Sequence, residues 1–103
     1  MKKFKIKIPN DLLCALYEEL CTVLNDKWDD DDDRLLMAVM AEVKSKLYAK
    51  IDYYKPQHSV SFTPAQALAI RNYYLSFHPN DVSSYIGNGL HRISCMTDQF
   101  FAK

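Results

Sequence analysis

A chain of 103 residues with 49% apolar content and no net formal charge lies near the commonest single-domain size. It can bury roughly 65% of its unfolded surface, so a core can form without disulfides or a metal. Neutrality excludes a surface tuned as a whole to nucleic acid or an anionic membrane, and no apolar run approaches the ~20 residues of a transmembrane helix.

The start, Met1-Lys2-Lys3-Phe4-Lys5, leads into alternating residues and not into the apolar centre of a secretory signal. One domain spanning 1–103 and a cytoplasmic location are therefore expected. Charge is distributed unevenly. Residues 1–9 carry +4, residues 10–33 carry −8 from nine acids and one Lys, and residues 34–103 carry +4, a pattern that permits self-association through opposite charges. Cys14, Cys21 and Cys95 lack metal-type spacing. On one helix Cys14 and Cys21 would stand about 10.5 Å apart along the axis, beyond the ~7 Å limit for a bridge. All three are read as reduced thiols.

Phe4, Ile6 and Ile8 alternate with Lys3, Lys5 and Lys7, the period of a strand with one buried and one wet face. Pro9 ends it, and Asn10 is placed to cap the helix that follows, with Asp11 in its first turn. Leu12, Leu13, Leu16, Tyr17, Leu20, Val23 and Leu24 then fall within a stripe of about 140°, which defines helix 1. The pattern resumes with Leu35, Leu36, Val39, Met40, Val43, Leu47 and Ile51, giving helix 2 over about 33–53, with Pro56 closing it.

His58-Ser59-Val60-Ser61-Phe62 is a second alternating stretch, able to pair with residues 3–8 and satisfy their backbone groups. Thr63-Pro64-Ala65-Gln66 combines an N-cap, a proline at N1 and a glutamine at N3, the sequence of a capping box. Helix 3 runs to about Phe77. Ile70, Tyr73, Tyr74 and Phe77 share one face, while Leu68 and Leu75 project from nearly the opposite one, as expected of a helix sandwiched between neighbours or lying in an interface. His78-Pro79-Asn80-Asp81 is a break. Beyond it Val82, Tyr85, Ile86, Leu90, Ile93, Met96, Thr97, Phe100 and Phe101 stay in phase across Gly87 and Gly89. That continuity predicts a helix 4 over about 81–100, with Gly89 at a close helix crossing.

Among candidate sites, Asp29–Asp33 fails the EF-hand template: Arg34 stands where Gly is required and Met40 where the bidentate Glu is required. The run reads as a solvated loop whose last aspartates cap helix 2, with Trp28 packing over the helix ends. His91 and Cys95 are four residues apart and could face one metal, yet no further ligand pair is visible, so they read as a surface histidine and an inert thiol. His58 and His78 read as loop residues. No nucleophile motif is present. No catalytic residue, cofactor or metal is expected, and the chain is not read as an enzyme.

Seven Tyr and five Phe are the better clue. Tyr53-Tyr54 and Tyr73-Tyr74 set two aromatics about 100° apart, more than one core readily buries, and tyrosine suits interfaces. The expected fold is mainly α, a four-helix domain in the order β-α-α-β-α-α with a small two-stranded ribbon. The expected function is a protein–protein interaction or accessory module that self-associates, as a homodimer or with another protein, through Leu68, Tyr73, Tyr74 and Leu75. The alternative is a helix-turn-helix-like nucleic-acid-binding regulator using helix 4, resting on Lys2, Lys3, Lys5 and Lys7 and on the helix-turn-helix spacing around His78-Pro79-Asn80-Asp81.

Overall fold

The computed structural model describes residues 4–52, 54–78 and 84–101. Strand β1 (Phe4–Pro9) leads directly into helix α1 (Asn10–Val23), and helix α2 (Asp31–Ile51) follows. Strand β2 (Gln57–Phe62), helix α3 (Pro64–Phe77) and helix α4 (Tyr85–Phe101) complete the order β-α-α-β-α-α, the expected mainly α architecture. The strands pair antiparallel, with Phe4 opposite Phe62, Ile6 opposite Val60 and Ile8 opposite His58. Alternation turns Phe4, Ile6 and Ile8 inward and leaves Lys5 and Lys7 exposed. Side chains from all six elements meet in one apolar core.

The same alternation carries His58 to the core face with Val60 and Phe62. It is 2% exposed, which corrects its reading as a loop residue. A buried polar ring needs a partner, and His58 Nε2 lies 2.9 Å from Asn10 Oδ1. Asn10 thus serves the strand instead of capping: α1 starts at Asn10, Pro9 occupies the cap position and no side chain caps the helix. The Asn10 backbone N–H donates to Pro56 O at 3.0 Å.

Helix α2 begins at Asp31, two residues earlier than the apolar pattern predicts, because Asp30 is its cap and accepts from the Asp32 N–H at 3.1 Å. Asp31, Asp32 and Asp33 fill its first turn, where negative charge favours the helix dipole. Trp28 packs edge-on against Phe77, with centroids 5.5 Å apart, and its indole N–H donates to Val23 O at 3.2 Å. The capping box of α3 forms in both directions: Thr63 Oγ1 accepts from Gln66 N–H at 3.2 Å, and Gln66 Oε1 accepts from Thr63 N–H at 3.0 Å. Where α4 crosses α1, a Cβ added to Gly89 would stand 2.5 Å from Leu12 Cδ2, so the close crossing is real. The predicted start of α4 at 81, Val82, Tyr53, Lys2 and Lys3 lie outside the described residues. Among the described residues no helix is long and apolar enough to cross a membrane.

Candidate interaction surface

Helix α3 packs against both α2 and α4, and its two faces have different fates. Ala67, Ile70, Tyr73 and Tyr74 are buried, whereas Leu68 and Leu75 remain 40% and 50% exposed. Of the four residues expected on the interaction surface, only the leucines lie on the surface. Tyr73 and Tyr74, 1% and 4% exposed, are core residues.

The tyrosines are both buried because they meet different neighbours. Tyr73 Oη donates to the Glu19 carboxylate on α1, and the His78 imidazole reaches the same oxygen at 3.0 Å. The Tyr73 ring also stacks on Phe77, with centroids 5.0 Å apart. Burial raises the Tyr73 phenol above its ordinary value, and the hydrogen bond to Glu19 and its charge add to the effect. Tyr74, about 100° round the helix, turns to α4, where its Oη lies 3.0 Å from His91 Nδ1. His91 Nε2 in turn lies 3.7 Å from Cys95 Sγ.

On the outer side, Leu68 and Leu75 line a groove of about 600 Å³ with Leu35, Leu36 and Val39 of α2. Its remaining lining is Ala65, Ala69, Asn72, Ser76, Asp32 and Asp33, so a mostly apolar strip carries a few polar groups. Leu35, placed in the core stripe by its spacing, is 67% exposed. It stands about 130° round α2 from the line of Met40 and Leu47, and Met37 is buried in its stead. A patch of contiguous exposed leucines in a groove is more informative than scattered ones.

Other candidates are more ordinary. Tyr54 is exposed. On α4 the exposed side chains include Asn88, His91 and Arg92, and Asp98 is bound by Arg71 Nε at 2.7 Å. Among the described residues no three His, Cys, Asp or Glu side chains gather as a metal site. The α2–α3 groove joins residues 26 or more apart in sequence, and only its α3 half was legible from spacing. No family model, curated protein or solved structure matches this chain.

Proposed function

We propose that the protein is an interaction module that self-associates, and that the outer face of α3 is where a second copy docks. The observation that carries this reading is the pair of exposed leucines, Leu68 and Leu75, beside an apolar wall from α2. Exposed positions of α3 along the groove include Ala65, Leu68, Asn72 and Leu75, the three- and four-residue steps of a helix seam.

An antiparallel second α3 centred between Arg71 and Asn72 sets Leu68 of one copy against Leu75 of the other, and places the Asn72 of each copy beside the twofold axis. A polar residue at one seam position fixes register. The chain has no net formal charge, so two copies approach without long-range repulsion. Covering the exposed parts of Leu35, Leu68 and Leu75 on both copies contributes about 6 kcal/mol before the entropic cost of association. The expected dimer is consequently weak and concentration-dependent.

Sedimentation velocity over a wide concentration range tests the reading. The expected result is a mass that rises from one chain toward two as concentration increases. A single-chain mass persisting to millimolar concentration overturns it.

A further inference from the structure

On the opposite side of α3 from the groove, we propose that Cys95 is a site of reversible thiol–disulfide exchange, with His91 as the base that takes its proton and Tyr74 as the positioning residue. His91 and Cys95 are one helical turn apart on α4, and His91 Nε2 lies 3.7 Å from Cys95 Sγ. The other ring nitrogen, Nδ1, is 3.0 Å from Tyr74 Oη. Tyr74 is 4% exposed, so its phenol is anchored in the core, and its ring meets the imidazole edge-on with centroids 5.6 Å apart. A nucleophile, a base within reach and a third group that orients the base are the parts that activated thiols share.

Access completes the case. Cys95 is exposed, whereas Cys14 and Cys21 are half-buried. The nearby carboxylate of Asp98, one turn further along α4, is bound by Arg71 at 2.7 Å, which offsets its opposition to a negative sulfur.

The substrate class is a small aliphatic disulfide, which an open helix face admits without rearrangement. His91 Nε2 accepts the thiol proton while Nδ1–H donates to Tyr74 Oη. The Cys95 sulfur then attacks one sulfur of the disulfide. A new S–S bond forms as the old one breaks, and the leaving thiolate departs with the electron pair and takes up the proton. The disulfide is the oxidant, and a second thiol reverses the step.

Incubation of the folded protein with glutathione disulfide, followed by peptide mapping of each cysteine over time, tests this. Cys95 is expected to form the mixed disulfide roughly tenfold faster than Cys14 or Cys21, and His91→Gln, at an exposed position, is expected to slow Cys95 roughly tenfold. Tyr74→Phe slows Cys95 alone, whereas mere loosening of the fold would accelerate Cys14 and Cys21. If exposure alone governs reactivity, His91→Gln leaves the Cys95 rate unchanged, and that result overturns the proposal, as does a Cys95 rate no higher than those of Cys14 and Cys21.

Discussion

Tyr73 on α3 donates its phenolic hydrogen bond to Glu19 on α1, and this contact ties together helices that are more than fifty residues apart in sequence. Deleting the hydroxyl as Tyr73→Phe keeps the ring and its stacking on Phe77. It should lower stability by about 1–2 kcal/mol at neutral pH, measured as a fall in the urea midpoint. The effect has a defined pH dependence. The folded phenol holds its proton more tightly than the unfolded one, so its stabilisation is fully present below the unfolded value of about 10 and is lost as pH rises above it. The stability gap between wild type and Tyr73→Phe should therefore narrow above about pH 10. A gap that widens there would contradict the assignment.

Gly89→Ala sets two effects against each other. Alanine improves helix propensity by about 1 kcal/mol, but the added Cβ would stand 2.5 Å from Leu12 Cδ2 and 3.1 Å from Cγ. Leu12 is 4% exposed and has little room to withdraw, so overpacking of about 1–3 kcal/mol wins and the variant is less stable. Combining it with Leu12→Ala should cost less than the sum of the two single changes, because the shortened side chain makes room for the methyl. Additive losses in chemical denaturation would count against the close crossing.

Asn10→Ala removes the partner of a histidine that is 2% exposed. The expected loss is about 1–3 kcal/mol from stranding a buried polar group. Asn10→Asp keeps the accepting oxygen at the start of α1, where a negative charge is favourable, and should stay near wild type. Thermal unfolding of the two variants separates a lost partner from a lost helix cap: a capping role would make Asn10→Ala costly without dependence on His58, so the penalty would persist in a His58→Phe background.

The parts of the fold governed by local chemistry were legible in the sequence. Alternation gave both strands, and Thr63 and Gln66 gave the start of α3 through a capping box that forms as the spacing requires. The parts governed by a partner from elsewhere were not. His58 shares the core face with Val60 and Phe62 by alternation, but the partner that lets a polar ring be buried there is Asn10, distant in sequence. Adjacent Tyr73 and Tyr74 point in directions that one neighbour cannot satisfy, yet α1 receives one and α4 the other. Within the candidate surface, the two-faced pattern of α3 pointed to Leu68 and Leu75. The α2 half was hidden because Leu35 is in phase with core residues whose stripe is wider than the core that covers it.

The central claim is that α3 associates through its outer face, and sedimentation of the wild type beside a Leu68→Asp, Leu75→Asp double variant tests it most directly. Both positions are about half exposed, so the variant should keep its helical circular dichroism and a cooperative unfolding transition at a modestly lower midpoint, while facing aspartates abolish the seam. The account predicts concentration-dependent dimerisation in the wild type and a single-chain mass throughout for the variant. A variant that dimerises as the wild type does would contradict it.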